Sequence, residues 1–387
     1  MSQLVTGIAE LTTHTELGTL TDAALVVDGG RVAWLGPAAQ APAADERLDL
    51  GGRAVLPGWV DSHSHLVSAG DRSAEFVDRM AGRPYQAGGI MQTVAATRAA
   101  SDEELLARAR RLRAEALRGG TTTMEAKTGY GLDVVSETRV ALISAEVADV
   151  VTYLGAHVVP EGADRRSYVD LVTGDMLAAV EAYASFVDVF CETGAFDVEE
   201  SREILLAGRA AGLALKVHGN QLGESGGVAL AVELGATSVD HCNHLSAADL
   251  DALASSDTVA TLLPACDLST RQPFPPAREL VDAGATVAIA SNCNPGSSYT
   301  TSMAFCVATA VLQQRLTLEE ALWAATVGGA RALGLDGTPD AVGRLAVGGR
   351  ADLQVLDAPS ARHLAYRPGV PLHHATCLGG VWHSARP

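Results

Sequence analysis

Strand-like and helix-like segments alternate along the middle of this chain, and the alternation limits the possible folds more than any other feature. Eight short apolar runs have the length and β-branched content of buried strands, and helical or loop segments separate them. The pattern indicates a parallel sheet, and eight such units predict a closed α/β barrel of the (β/α)8, TIM-like type. The predicted strands are residues 54–60, 121–125, 150–155, 186–190, 214–218, 238–241, 259–263 and 286–291.

A doubly wound open sheet is the alternative architecture for this pattern. Such a sheet would usually carry a glycine-rich nucleotide-binding loop after its first strand. No such loop follows residue 60, so we prefer the barrel.

Short strands are also expected at both ends of the chain. Residues 23–36 predict a hairpin, and residues 343–357 contain two β-like runs around a Gly-Gly pair. A few strands of this kind cannot bury a core alone. The predicted domains are therefore a small composite β-sandwich domain of residues 1–53 and 341–387 and a barrel domain of residues 54–340.

Charge and composition exclude several classes of partner. The 46 acidic and 28 basic residues give a formal net charge of −18, which argues against nucleic acid or an anionic membrane surface as partner. No apolar stretch approaches the roughly 20 residues of a membrane-spanning helix, and we see no signal-peptide pattern at the N-terminus. The six cysteines are scattered without a Cys-x-x-Cys pair, which favours reduced thiols and a cytoplasmic location.

Five of the 11 histidines lie at or just after the ends of predicted strands. His63 and His65 follow the first strand, His157 follows the third, and His218 and His241 end the fifth and sixth. On a strand, residues i and i+2 point to one face, so His63 and His65 would project together. Because barrel enzymes carry their catalytic groups at the carboxyl ends of the strands, these histidines predict a metal or acid–base site.

Several segments of the sequence resemble those of a known family. Over nearly the whole chain the sequence is similar to the amidohydrolase superfamily and, within it, to the imidazolonepropionase family. The KTGYGL and LGAH motifs are the most specific to that family. The matching segments are DSHSHLV at 61–67, GGTTTMEAKTGYGL at 119–132, LGAHVVP at 154–160, VHGNQ at 217–221, VDH at 239–241 and NCNPG at 292–296.

The resemblance implies a hydrolase that opens the cyclic amide of 4-imidazolone-5-propanoate to N-formimidoyl-L-glutamate in histidine degradation. It also implies one divalent metal ion, zinc or iron, a small carboxylate-bearing substrate and a homodimer. The implied site residues are His63, His65, His218 and Asn292 for the metal, Arg72 and Tyr130 for the substrate propionate, His157 for the imidazolone ring, and His241 for the scissile carbonyl. Asn294, in the loop after the eighth predicted strand, is a further candidate for contact with the substrate.

These residue types suit the reaction. A divalent metal lowers the pKa of a bound water from about 16 towards about 7, and the resulting hydroxide can attack the ring carbonyl. His241 can deliver a proton to the leaving nitrogen near neutral pH. Arg72 suits the propionate because a guanidinium pairs with a carboxylate through two hydrogen bonds. The alternatives are a surface salt bridge for Arg72 and a packed loop aromatic for Tyr130.

Two positions depart from the family pattern. Asn292 stands where the family has aspartate, so it can ligate through its carbonyl oxygen but cannot take a proton from water. Gln221 stands where some members have glutamate, which leaves His241 as the obvious proton acceptor. The catalytic candidates are therefore His241, Asn292 and Gln221, and Gln221 is also a candidate for substrate contact. A catalytically silent binding relative, or an amidohydrolase or deaminase for another cyclic substrate, stays open as the alternative function.

Asp61 and Lys127 each allow two interpretations. Asp61 can orient a neighbouring histidine or serve as a turn residue. Lys127 can be a bridging, carbamylated lysine of a two-metal site or a structural or substrate-side residue. We favour the second interpretation of Lys127 because the resemblance is to a one-metal family.

Overall fold

The computed structural model describes residues 1–82, 89–338 and 340–384. Its strands form one seven-stranded and one eight-stranded sheet. The strands are β1 (Gln3–Thr12), β2 (Thr19–Asp28), β3 (Arg31–Pro37), β4 (Glu46–Pro57), β5 (Trp59–Asp61), β6 (Thr121–Lys127), β7 (Val150–Ala156), β8 (Phe186–Cys191), β9 (Ala214–Gly219), β10 (Ser238–His241), β11 (Val259–Leu262), β12 (Val287–Ile289), β13 (Leu353–Leu356), β14 (His373–Leu378) and β15 (Val381–Ser384).

Helices separate most strands of the eight-stranded sheet, and several begin with a side-chain cap. Asp197 and Ser246, for example, each form a capping box with the residue three positions later. In the described part of the chain, no helix combines the length and apolar character needed to cross a bilayer. The helices are α1 (Ser73–Met80), α2 (Ile90–Ala99), α3 (Asp102–Arg118), α4 (Val134–Val147), α5 (Arg165–Thr173), α6 (Asp175–Val180), α7 (Val198–Ala210), α8 (Gly227–Glu233), α9 (Ala247–Ala254), α10 (Pro264–Thr270), α11 (Ala277–Asp282), α12 (Met303–Gln313), α13 (Leu318–Trp323), α14 (Gly329–Ala332) and α15 (His363–Tyr366), with a 3₁₀ turn at Ala38–Gln40 and a π-helical turn at Ala324–Gly328.

The eight-stranded sheet has the strand order of a βα barrel. Its strands follow one another from β5 to β12 in chain order, and the pairs from β6 to β12 are parallel. The segment after β12 returns to the segment after β5, because Ser64 forms a parallel bridge with Asn292. The N–H group of Asn292 also donates to the carbonyl of His63 at 3.0 Å. The predicted (β/α)8 fold is confirmed.

The first predicted strand, residues 54–60, is divided between the two sheets. β4 ends at Pro57 in the seven-stranded sheet, and β5 begins at Trp59 in the eight-stranded one. The change occurs at Gly58, where a Cβ would lie 2.2 Å from Thr122 Oγ1, so only glycine fits between the two strands. Because β5 is short, the His-x-His pair lies after the strand rather than on it.

The seven-stranded sheet combines both chain ends in the order β15-β14-β13-β4-β1-β2-β3. β1 pairs with β4 in parallel and with β2 in antiparallel fashion. Its buried face includes Val5, Leu25 and Leu353, which share one apolar cluster. The sequence had predicted a second sheet of this origin, and the structure confirms it.

The two strand predictions near the chain ends have different outcomes. Residues 23–36 do form a hairpin from β2 and β3, and Gly29 and Gly30 occupy its turn with φ of +56° and +78°. The prediction of two strands within residues 343–357 is wrong, since β13 is the one strand there. Leu345 is buried in the sheet's apolar cluster, and its backbone N–H donates to the carbonyl of Thr13. The apolar residues of this run therefore pack in the core and do not form a β-strand.

The chain forms two compact units. One consists of Met1–Asp61, Ala114–Thr123 and Ser302–Pro387 and contains the seven-stranded sheet. The other consists of Ser62–Arg113 and Met124–Thr301 and contains strands β7 to β12. The domain boundaries expected from the sequence stay a prediction.

Candidate active site

Three histidines bring ring nitrogens together at the carboxyl ends of the barrel strands. His63 and His65 follow β5, and His218 lies near the end of β9. One nitrogen from each buried ring lies within 4.8 Å of the other two. Nε2 of His63, Nε2 of His218 and Nδ1 of His65 are buried without a hydrogen-bond partner among the described residues. Leaving such nitrogens unpaired is costly, and a shared metal ion would satisfy them, so the donor set fits a metal site.

Two buried carboxylates orient these rings. His63 Nδ1 lies 2.6 Å from Asp240 Oδ2, and His218 Nδ1 lies 3.1 Å from Asp188 Oδ1. A proton held on Nδ1 by a carboxylate leaves the lone pair of Nε2 free, which is the usual arrangement of metal-binding histidines. The carboxylate that orients His63 is therefore Asp240. The sequence left the role of Asp61 open between orienting a neighbouring histidine and serving as a turn residue.

The same carboxylates surround a buried lysine. Lys127 Nζ lies 2.8 Å from Asp188 Oδ2, 3.3 Å from Asp240 Oδ2 and 3.2 Å from the Glu125 carboxylate. Lys216 Nζ lies 2.9 Å from Glu125 Oε1, and all five side chains are fully buried. Two positive and three negative groups leave one negative charge in excess. That excess would complement a divalent cation held by neutral histidines.

Burial and neighbouring charges favour the neutral form of His63, His65 and His157. Burial and then the charge of Lys127 lower the pKa of His63 to about 4. Burial and then His218 lower the pKa of His157 to about 3. Burial likewise lowers the pKa of His65 well below its usual range. Because only a neutral imidazole binds a metal, these shifts favour binding at neutral pH.

Lys127 itself is held in its charged form. Burial acts to lower its pKa, but the carboxylates of Asp188, Glu125 and Asp240 outweigh burial and raise it. Conversely, burial acts to raise the pKa of Asp240, but Lys127 and His63 hold that pKa well below its usual range. A carbamate forms on a neutral amine, so these contacts favour the structural interpretation of Lys127.

His241 faces the same space at the end of β10. Its ring centroid lies 5.4 Å from that of His218 and 5.7 Å from that of His63. The φ angles of His241 and Asn292, +84° and +68°, lie in the left-handed region that side chains other than glycine rarely adopt. Backbone strain of this kind collects at functional sites.

Tyr130, His157 and Asn294 lie together beside the metal candidates. The His157 ring is stacked on that of His65 with centroids 5.4 Å apart, and the Tyr130 ring centroid is 5.8 Å from that of His65. The Tyr130 hydroxyl donates to Asn294 Oδ1 at 2.8 Å. Three of the predicted substrate residues therefore line one side of the site.

Arg72 lies at a cavity of about 520 Å³ that is unusually basic for so acidic a chain. Its Nε and Nη2 atoms donate to the Glu75 carboxylate at 2.8 and 2.7 Å. Ser297, also on the cavity wall, accepts a hydrogen bond from Asn292 Nδ2 at 2.8 Å, which links the cavity to the site. The charged residues of the wall are Asp71, Arg72, Arg79, Arg108 and Arg111.

The two unusual amides also have definite places. The backbone pairing with His63 places Asn292 beside the histidines, and its amide nitrogen is engaged by Ser297. Because the nitrogen is engaged, the carbonyl oxygen is the atom left for a metal. Gln221 follows β9, and its Nε2 lies 3.9 Å from Cys266 Sγ.

Sequence reasoning missed five buried charged or acidic residues of this region. Four belong to the ionic network around Lys127, and the fifth, Asp267, lies near His241. A usable signal existed, because a charged residue within an apolar strand must find a buried partner. These residues are Glu125, Asp188, Lys216, Asp240 and Asp267.

The family assignment rests on nearly the whole chain. Residues 54–373 match the model described as the amidohydrolase family. This chain belongs to the amidohydrolase family. The imidazolonepropionase of Saccharopolyspora erythraea is 66% identical over 98% of this chain and 98% of its own length. Those of Arthrobacter sp. and Streptomyces coelicolor are 60% and 58% identical, covering 98% and 99% of this chain and 99% and 96% of their own.

Solved structures of amidohydrolase-type enzymes share the fold. Atrazine chlorohydrolase from Arthrobacter aurescens, complexed with zinc, has a TM-score of 0.74 at 18% identity over 100% of this chain and 96% of its own. An adenosine deaminase from Xanthomonas campestris with bound zinc also scores 0.74, at 18% identity over 98% and 92% of the two chains. At this identity the likeness shows the fold alone.

We expect metal-free protein to lose stability as the pH falls from about 6.5 to about 4. In the unfolded chain His63 takes up a proton near its ordinary pKa of 6.5, whereas in the folded chain it stays neutral until about pH 4. Below 6.5 the unfolded state therefore binds more protons, and the free energy of unfolding decreases. The measurement is the thermal midpoint of chelator-treated protein against pH. A midpoint that stays constant over this range would contradict the prediction.

Proposed function

We propose that this protein is a metal-dependent imidazolonepropionase that hydrolyses 4-imidazolone-5-propanoate to N-formimidoyl-L-glutamate. The observation that carries the proposal is that one ring nitrogen from each of three buried histidines, His63, His65 and His218, lies within 4.8 Å of the other two in a chain of the amidohydrolase family. Relatives named imidazolonepropionase, 57% to 66% identical over nearly the full length, support the choice of substrate.

We assign one divalent ion, zinc or iron, to His63, His65, His218 and the carbonyl oxygen of Asn292. Imidazole nitrogens with one oxygen donor suit either metal. When bound, such an ion lowers the pKa of a water molecule and polarises the substrate carbonyl. Asn292 brings no charge to this donor set, so the buried carboxylates behind His63 and His218 supply the negative charge instead.

The hydrolysis requires one bond to form and one to break. The oxygen of water joins the ring carbonyl carbon, the C–N bond of the cyclic amide breaks, and the leaving nitrogen gains a proton. We assign the movement of this proton to His241, whose ring centroid lies 5.4 Å from that of His218. Gln221, which cannot titrate, can hydrogen-bond the substrate.

The remaining candidates would hold the substrate in place. His157 would contact the flat imidazolone ring, and Arg72 would pair with the propionate at the basic cavity. Tyr130 and Asn294, already hydrogen-bonded to each other, would extend this contact. An amidohydrolase or deaminase for a neutral substrate would need no such cluster of arginines.

Three further points of the proposal concern the protein as a whole. We propose a cytoplasmic location, which the six buried cysteines, none of them in a disulfide, support, and a homodimer, as the family resemblance implies. We also propose the domain division between residues 1–53 with 341–387 and residues 54–340. Nucleic acid and membranes are not expected partners of a chain with a net charge of −18.

Metal-loaded protein should convert 4-imidazolone-5-propanoate, and removal of the metal by a chelator should abolish the activity. Readdition of zinc or ferrous iron should restore it, because the histidines lose no covalent structure on metal removal. The measurement is the loss of the substrate's ultraviolet absorbance together with elemental analysis. Folded, metal-loaded protein that leaves the absorbance unchanged would refute the proposed function.

Arg72→Gln should raise KM for this substrate by about 10-fold to 100-fold with little change in kcat, because a charged hydrogen bond to the propionate is lost in both ground and transition states. Arg110→Gln is the matched control, since Arg110 is exposed on α3, pairs with Glu146 and loses the same charge. An unchanged KM in Arg72→Gln would favour a substrate without a carboxylate.

Asn292→Asp should bind the metal at least about 10-fold more tightly, since a charged oxygen donor replaces a neutral one of the same shape. Metal affinity by competition with a chromophoric chelator is the measurement, and kcat is followed in parallel. The proposal requires substantial activity with Asn292 already present. Activity that arises only in the Asn292→Asp variant would identify the chain as a catalytically silent relative.

A further inference from the structure

The amide side chains of Asn292 and Gln221 cannot act as an acid or a base. A buried carboxyl group, that of Asp267, does lie beside His241. Asp267, on α10 after β11, is 1% exposed. A carboxylate oxygen of Asp267, Sγ of Cys266 and a ring nitrogen of His241 lie within 4.8 Å of one another. The site therefore has a carboxyl group that the sequence pattern did not reveal.

In the described part of the chain, Asp267 and His241 each have one buried polar atom without a hydrogen-bond partner. Asp267 Oδ1 accepts a hydrogen bond from Asn243 Nδ2 at 2.6 Å. Among residues 1–82, 89–338 and 340–384, Oδ2 of Asp267 and Nδ1 of His241 are buried without a hydrogen-bond partner. Two buried polar atoms without partners each carry a desolvation cost, and a mutual hydrogen bond would remove both costs.

Burial favours the neutral, protonated form of Asp267. Burial raises its pKa well above the usual range, and the hydrogen bond from Asn243 only partly opposes this. A carboxylic acid that stays protonated at neutral pH is a proton donor, as in enzymes that keep an aspartic acid neutral in an apolar site. Cys266 is the poorer donor, because burial raises the pKa of its thiol to about 12.

We propose that Asp267 is a positioning residue that acts through His241: its carboxyl proton bonds one ring nitrogen of His241 and so leaves the N–H of the other nitrogen facing the substrate. This inference deepens the proposed function and rests on it. It explains how a chain with Asn292 and Gln221 can still carry out a proton-dependent ring opening.

The ring-opening step conserves protons. As the C–N bond breaks, His241 gives its substrate-side proton to the leaving nitrogen and takes the carboxyl proton of Asp267 on its other nitrogen. Once the C–N bond has broken, one proton of the added water passes to the vacated ring nitrogen of His241, and the opposite ring nitrogen returns its proton to Asp267. The other water proton stays on the new carboxyl group. No external acid, base or oxidant is consumed, and the imidazole ring of His241 does not become an anion.

The separation in the free protein does not oppose this role. The 4.8 Å limit exceeds the usual hydrogen-bond length of about 3 Å. Catalytic hydrogen bonds are often long without substrate and tighten only in the substrate complex. The strained backbone at His241 is the place where such a small movement would occur.

Glu137 provides an instructive contrast. It is also fully buried, and burial raises its pKa. However, its carboxylate accepts hydrogen bonds from the backbone N–H groups of Gly129, Gly131 and Leu132, so it holds a loop in place. Burial alone therefore does not select Asp267, and the neighbouring His241 does.

The first test compares Asp267→Asn, which keeps the shape but loses the proton, with Asp267→Glu, which keeps a titrating carboxyl. In Asp267→Asn we expect kcat to fall about 10²-fold or more, with KM and metal content near those of the wild type. Asp267→Glu should recover most of that loss. Asp249→Asn is the matched control, because Asp249 caps α9 through Ser246 and should affect stability but not kcat.

The second test does not depend on activity. The infrared difference spectrum of wild type minus Asp267→Asn at pH 7 should show the carbonyl band of a protonated carboxylic acid, while any band of Glu137 cancels. If Asp267→Asn does not fold, the Asp267→Glu spectrum serves instead, and the band should shift rather than disappear.

The outcomes separate the inference from the proposed function. Inactive wild type that still shows the Asp267 band would refute the proposed function and leave the protonated carboxyl established. Full kcat in Asp267→Asn, or absence of the band, would overturn the inference. A second zinc ion per chain that is lost in Cys266→Ser would also overturn it, since His241, Cys266 and Asp267 would then be metal ligands.

Discussion

The site depends on one buried lysine more than on any other residue. Lys127 neutralises Asp188 and Asp240, and those two carboxylates hold the Nδ1 protons of His218 and His63. Removing one member of such a buried pair leaves an uncompensated charge and costs roughly 3–5 kcal/mol. The direction of the metal-facing lone pairs is thus set by an ion pair that lies behind the histidines, within the barrel.

This arrangement changes how the neutral Asn292 is to be understood. A metal site judged by its nearest donors alone would have no negative charge here. The structure places Glu125, Asp188 and Asp240 against two lysines, so one negative charge remains in excess directly behind the ligands. The charge that attracts a cation can therefore come from groups that never touch it, because buried charges interact strongly over several ångströms.

Backbone strain and side-chain chemistry coincide at the strand ends. His241 and Asn292 adopt positive φ angles, which cost of order 1–3 kcal/mol each. The barrel strands that precede them, β10 and β12, are fully buried and make regular parallel pairs, so they can sustain this cost. A stable sheet thus carries strained, chemically active ends, as is usual for barrel enzymes.

The sequence by itself determined the eight-stranded barrel and the second sheet from both termini, because the periodicity of strands can be recognised locally. It also determined that five histidines converge, because the carboxyl ends of all strands of a βα barrel lie on the same side of it. These histidines are His63, His65, His157, His218 and His241. The sequence also determined that the side chains of Asn292 and Gln221 cannot act as an acid or a base. Only the tertiary structure decided which polar side chains face one another: Lys127 with Asp188 and Asp240, and Asp267 with His241. Those pairs join strands and helices distant along the chain, and their contact depends on register and packing that no local pattern specifies.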